Sequence, residues 1–271
     1  MFRALVKSLE NKPWNPGIRF DNTMLTNIIQ VLKKNLFSIA IKRFFTFVIF
    51  AVVLSHAHAA SGWHDETHLA VAKASGHRKW FNTTGADMAK IKAGSIEGYN
   101  HFFNNYSNVE ITPSLIMKQV DSYNNPRDEE GHLYGAILAS LREYKKAHVS
   151  GKYADYHLSF CAHYITDLSQ PLHNIPYDDF NRHYHSSNDG IVNENILDTI
   201  QKIKDHMYEI RLRPGHFEDD LSKEIARIAN ISRKLGYTLK KETRTLTGEE
   251  AYRQLGHSAS LLAAVLVSLG K

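Results

Sequence analysis

Residues Tyr153 to Leu168 constrain the fold most, because they are apolar on two faces of one helix. At helical spacing Leu158, Cys161, Ile165 and Leu168 form one stripe, and Tyr156, Phe160, His163 and Asp167 form a second. A helix apolar on two faces belongs inside a bundle rather than on its surface. His163 and Asp167 are therefore carried into the interior, where an unpartnered carboxylate loses its hydration without compensation. Two readings stay open at this level: a buried Asp–His pair that stabilises the core, or a pair that holds a metal.

From Trp63 onward the period is helical throughout, in segments rich in Ala, Leu, Lys and Glu with few β-branched alternating runs. The spacing predicts helices over about 64–75, 86–97, 112–124, 128–148, 153–169, 189–211, 217–235 and 247–269. Turn signals at Thr83-Thr84-Gly85, Asn124-Asn125-Pro126, Ser150-Gly151, Pro171, Pro214-Gly215 and Thr247-Gly248 separate them. The expectation is one all-α domain over 63–271, a multi-helix bundle, and the 43% hydrophobic content is ample for its core. No internal repeat or low-complexity tract is present.

The net charge of +5 does not describe that domain. Residues 1–62 hold eight Lys or Arg against only Glu10 and Asp21, and removing them from the totals of 33 and 28 leaves 25 basic and 26 acidic residues. No global field therefore argues for binding of nucleic acid or a membrane surface by the domain. Residues 1–62 read as a leader, because Lys33, Lys34, Lys42 and Arg43 precede the apolar run Phe44 to Leu54, followed by small residues around Ala57 to Ala60. The run is too short to span a bilayer, so the expectation is an exported protein, periplasmic or secreted. Cleavage is expected after Gly62, with the bond after Ala59 as the alternative. Cys161 is the only cysteine, which excludes an intrachain disulfide.

The choice left open at the central helix tips toward metal because His163-Tyr-Ile-Thr-Asp167-Leu-Ser-Gln-Pro171-Leu-His173 presents three metal-capable groups in a short run. His163 and Asp167 lie one turn apart on one face, and Pro171 ends the helix so that His173 sits on the following loop. His185 and Asp189 repeat the i, i+4 spacing. With His68 and His101 added, imidazoles and carboxylates suffice for several borderline-soft ions, of which zinc is the natural occupant.

These residues resemble a known family, the zinc-dependent phospholipases C and the related single-strand-specific nucleases, which share a helical fold and a three-zinc site. The resemblance runs from Trp63 to the end and is carried chiefly by His163 to His173, with Gln170-Pro171 before Leu172-His173. Tyr184-His185-Ser186-Ser187-Asn188-Asp189 resembles the family's second signature. The resemblance implies a Trp63 amino terminus whose amine and carbonyl bind zinc together with His68. It implies that Asp167 bridges this zinc to another held by His163 and His101, and that His173, His185 and Asp189 hold a third. One further carboxylate ligand has two candidates, Glu97 in the better sequence context and Asp87 at the more family-like separation; Glu97 is the choice. The spacing from Trp63 to His68 resembles the nuclease branch, and Tyr184 through Asn195 the phospholipase branch.

The implied activity is zinc-dependent hydrolysis of a phosphodiester, with Asp167 and Glu97 in the catalytic roles. Zinc is the only cofactor expected, as three ions. The expected substrate is a phospholipid head group, and single-stranded nucleic acid or a nucleotide is the alternative, for which Phe102 or Phe103 would supply a stacking platform. A non-catalytic zinc-binding protein is a third reading. A di-iron bundle fits poorly, since only Glu129 and His132 have its spacing and Gly131 interrupts them. His132, His157, His206, His216 and His257 read as surface or locally bonded histidines, and His183 finds Ser187 where His185 finds Asp189. No obligate protein partner is indicated.

Overall fold

The structure is a computed structural model that describes residues 63–271; the leader and both expected cleavage points lie outside the described residues. Among the described residues there is no strand. The helices are α1 (Asp65–Ala74), α2 (Gly85–Ala93), α3 (Ser95–Gly98), α4 (Pro113–Val120) and α5 (Leu133–Val149). They continue with α6 (Asp155–Leu168), α7 (Asp179–Asp189), α8 (Ile200–Lys204), α9 (Phe217–Glu242) and α10 (Gly248–Ser268), and 3-10 turns lie at Trp80–Asn82, Pro171–Asn174 and Pro214–His216.

The doubly apolar segment becomes α6 and is the central helix, buried continuously from Cys161 to Leu168 and packed by α1, α2, α5, α9 and α10. Its most extensive partner is α5, to which residues 150–154 join it as a helical hairpin. Gly135 lets α4 lie close under α5, since a Cβ there would stand 2.2 Å from the Gln119 carbonyl carbon. One buried apolar cluster gathers on α4, α5, α6, α9 and the end of α10, and a second joins Trp63 and α1 to α8 and the start of α10.

Local chemistry sets the helix ends. Thr112 and Asp178 cap α4 and α7 by accepting from Leu115 N–H and Asn181 N–H, and Thr247 and Glu250 form a capping box on α10. Glu218, Asp219 and Asp220 in the first turn of α9 and Lys240 and Lys241 in its last complement the helix dipole over 26 residues, longer than the expected 217–235.

Two expectations are corrected. The helix expected over 86–97 is broken at Gly94, whose φ of 57° no ordinary residue adopts readily, and continues as the separate turn α3. The helix expected over 189–211 does not form. The Asp178 cap starts α7 ten residues earlier, it ends at Gly190, and Asn195 at φ 63° interrupts the chain beyond it, leaving only α8 as helix there.

Candidate metal centre

The last two turns of α6 carry His163 and Asp167 into full burial. The outer nitrogen of His163, Nδ1, donates to the Thr83 carbonyl at 2.9 Å, which fixes the ring with its inner nitrogen, Nε2, turned toward two carboxylates. That nitrogen lies 3.3 Å from Asp167 Oδ2 and 3.6 Å from Asp87 Oδ1. His68, fully buried on α1, stacks on the His163 ring at 3.7 Å and points Nε2 at Asp167 Oδ1, 3.5 Å away. His101, in the loop after α3, puts Nδ1 2.9 Å from Asp167 Oδ2 and turns Nε2 outward to Glu97 Oε1 at 3.3 Å. Asp167 thus meets imidazoles on both oxygens: Oδ2 faces His101 and His163, and Oδ1 faces His68 and, at 3.7 Å, Nδ1 of His173.

His173 stands on the 3-10 turn that succeeds the Pro171 break, and its Nε2 meets Nε2 of His185 at 3.2 Å. His185 gives its other nitrogen, Nδ1, to Asn181 Oδ1 at 2.6 Å, and Asp189 Oδ2 lies 3.3 Å from His185 Nε2. Asp189 also accepts from the Gln170 side-chain amide. The i, i+4 pair on α7 is therefore buried and turned inward, while His183 is exposed.

Three imidazoles repeat one pattern: the outward nitrogen is bonded to an oxygen and the inward one faces carboxylates or another imidazole. That is the tautomer and orientation of a metal-binding histidine. Several buried atoms here have no hydrogen-bond partner, namely both nitrogens of His68, of which Nε2 faces Asp167, with His163 Nε2, Asp167 Oδ1 and His173 Nδ1. Each such buried polar atom costs about 1–3 kcal/mol if left unsatisfied, and a cation among them would satisfy several at once. Three sets have ligand atoms within 4.8 Å of one another: His68, Asp87 and His163; His101, His163 and Asp167; and His173, His185 and Asp189. Nitrogen and carboxylate donors in threes suit zinc and its borderline neighbours.

The electrostatics differ from group to group. Burial alone would drive a proton off His163, but the Asp87 and Asp167 carboxylates outweigh it and hold its pKa up to about 9. Burial and the neighbouring His163 charge push His68 down to about 3. Burial would raise Asp167, yet His163, His173 and His68 around it hold its carboxyl well below the ordinary range. Asp189 goes the other way, raised well above its ordinary value by burial, which the Gln170 hydrogen bond only partly offsets.

No family model, no curated protein and no solved structure matches the chain.

The structure therefore brings His68, His101, His163, Asp167, His173, His185 and Asp189 together. Trp63 is fully buried in the second apolar cluster, and the next residue's N–H donates to the Asp189 carbonyl, which sets the Trp63 backbone beside α7. Of the two carboxylates weighed for the remaining place, Asp87 enters the cluster. Glu97 is already bonded, accepting from Tyr164 O–H at 2.6 Å and Asn100 Nδ2 at 3.2 Å, and it touches only the outer nitrogen of His101. The reason is the Gly94 break, which puts Asp87 on α2 facing α6 and Glu97 on α3 behind His101. An unbroken helix over 86–97 would hide this difference.

Lys90, one turn after Asp87, pairs with it at 2.5 Å; the i, i+3 spacing was the only sequence signal for that pair. His64 packs against Gly190, where a Cβ would meet its ring at 2.8 Å. Of the two readings of His132, the locally bonded one holds: it is fully buried and bonded to Asp128 and Asn100. Phe102 lines a cavity of about 190 Å³ beside His185, with Tyr177, Leu172 and Ile175 as apolar walls and Asn104, Glu129 and Asn181 as polar ones. Phe103 instead packs on Tyr134 in the core, and Tyr106 is exposed.

Proposed function

We propose that this chain is a zinc-dependent phosphodiester hydrolase of phospholipase C type, cleaving the head group from a phospholipid. The observation that carries the reading is Asp167, a fully buried carboxylate with each oxygen facing its own imidazoles, as expected of a group that bridges two ions. Asp167, His101, His163 and Asp87 would hold one zinc, His68 with the Trp63 backbone the next, and His173, His185 and Asp189 a third. Zinc so placed lowers the pKa of water and neutralises charge on the phosphoryl oxygens, so no Ser or Cys nucleophile is required.

The chain's own residues do the rest. In this reading Asp87 takes the place given to Glu97 by sequence context, and Glu97 fixes the tautomer of His101 through its outer nitrogen. Lys90 holds Asp87 and adds a positive charge at the edge of the cluster. The cavity beside His185 has the size of a polar head rather than of acyl chains, and its Phe102 and Tyr177 rings with Glu129 suit an ammonium-bearing head group. The same Phe102 ring favours the second reading, a nuclease or nucleotidase, in which it would stack a base.

The test is metal analysis of the purified protein together with assays on phosphatidylcholine, single-stranded nucleic acid and a chromogenic phosphodiester. Zinc-dependent release of phosphocholine is the expected result. Turnover of nucleic acid alone supports the second reading, and bound zinc with no hydrolysis of any of the three supports a non-catalytic protein. Amino-terminal sequencing of protein exported by a bacterial host bears on the Trp63 ligand: Trp63 first is expected, and Ala60 first would remove it.

A further inference from the structure

Helix α2 is built the wrong way round for a helix that packs only on its own core. A bundle helix turns its large apolar residues inward and small or polar ones outward. In α2 the inward residue is Ala86, with Ala89 and Ala93 partly buried, while Met88 and Ile91 face solvent at 62% and 72% exposure. Met88 and Ile91 are one turn apart and form a ridge. Phe81 just before α2 and Ile96 just after it are also exposed, at 58% and 45%.

This segment is also the cationic part of a nearly neutral domain. Between Lys73 and Ile96 the chain carries Lys73, Arg78, Lys79, Lys90 and Lys92 against one acid, Asp87, and that acid is turned into the metal cluster. Lys73, Arg78 and Lys92 are exposed, whereas Lys79 pairs with Asp155. Exposed Met, Ile and Phe side chains interspersed with Lys and Arg have the composition of a surface that sits in the interface of an anionic bilayer, with apolar groups entering the acyl boundary and ammonium groups meeting phosphate. Asp87 and Lys90 belong to the same helix as Met88 and Ile91, so the exposed ridge and a carboxylate of the cluster are carried by one short element.

We propose that the Phe81–Ile96 segment, led by Met88 and Ile91 on α2, docks the protein on anionic phospholipid membranes and presents the metal centre to the head-group layer. The proposal rests on the phospholipase reading for its purpose, but docking is measured without catalysis.

Cys161 is the only cysteine and is buried, so an environment-sensitive fluorophore can be placed at Ile91→Cys, with Lys234→Cys on α9 as the comparison. The protein is used with whatever amino terminus the producing cell leaves, since the probe reads its own position and not the association of another segment. Mixed phosphatidylcholine–phosphatidylglycerol vesicles are expected to blue-shift the probe at 91, bilayer-embedded quenchers to quench it, and neither to affect the probe at 234. The shift should weaken on pure phosphatidylcholine and in high salt. The double variant Met88→Asp, Ile91→Asp should lose roughly 100-fold in vesicle partitioning, the loss of two apolar anchors, while its hydrolysis of a soluble short-chain diester is unchanged.

No shift at 91 on anionic vesicles overturns the proposal. So does a shift at 91 that grows with protein concentration in the absence of vesicles, which would mean that a second copy covers the ridge. Insertion at 91 without hydrolysis of any lipid retains the docking surface and removes the phospholipase reading; hydrolysis of short-chain lipid without insertion does the reverse.

Discussion

Two groups of similar side chains sit side by side in the centre, one around Asp167 and one around Asp189, and they are held differently. The Asp167 group draws on α1, α2, the loop after α3 and α6, and its carboxylate is kept ionised by imidazoles on both oxygens. The Asp189 group comes from α7 and the turn after α6, and its carboxylate has His185 and the Gln170 amide for company. Burial dominates there and pushes Asp189 up. The same i, i+4 spacing thus gives a charge-rich hub in one place and a lightly supported side group in the other. What decides is how many other segments converge on the carboxylate, which spacing does not encode.

The largest effect should come from the hub. Asp167→Asn keeps the shape and removes the charge that two imidazole sets share, so, if Asp167 serves two ions as proposed, it should lose metal from both and nearly all hydrolysis. Full metal content at a normal rate would break the distinction between hub and side group. His185→Ala should do less, removing the ion at the Asp189 group while the Asp167 group keeps its own. Metal content measured beside His183→Ala separates the readings: the loss must track His185, because His183 is exposed. Loss in His183→Ala instead would move the third site.

A smaller effect separates ligand from support. Glu97→Gln should leave the metal count unchanged at saturation but weaken affinity about 10–100-fold, whereas Asp87→Asn should lower the count itself. The reverse pattern in competition with a chelator would restore Glu97 as the ligand. The smallest effect on metal is expected at His132, which shares the i, i+4 spacing with Asp128 but bonds only Asp128 and Asn100. His132→Ala should cost about 1–3 kcal/mol in thermal or denaturant unfolding and leave metal content alone.

The sequence carried much of this. Helical period and the two-faced stripe placed α6 at the centre, and the His163–His173 run named the groups it brings inside. What it could not carry was the effect of single backbone positions. Gly94 sets which of Asp87 and Glu97 faces the imidazoles of α6, and the Asp178 cap with Asn195 sets where α7 lies, so the helix that the spacing predicts from 189 begins where the one carrying His185 and Asp189 in fact ends. The bond of His132 to Asp128 is local, as the spacing allows, but its full burial depends on Asn100 arriving from a loop remote in sequence.

The most direct test is zinc stoichiometry by native mass spectrometry on the purified protein, before and after chelation and readdition, with phosphodiesterase rate measured in parallel. About three equivalents are expected, with the Asp189 ion lost first, activity falling as zinc leaves and returning with it. Protein that carries no zinc and cannot be loaded, or that hydrolyses phosphodiesters at an unchanged rate after its zinc has been stripped, would contradict the assignment.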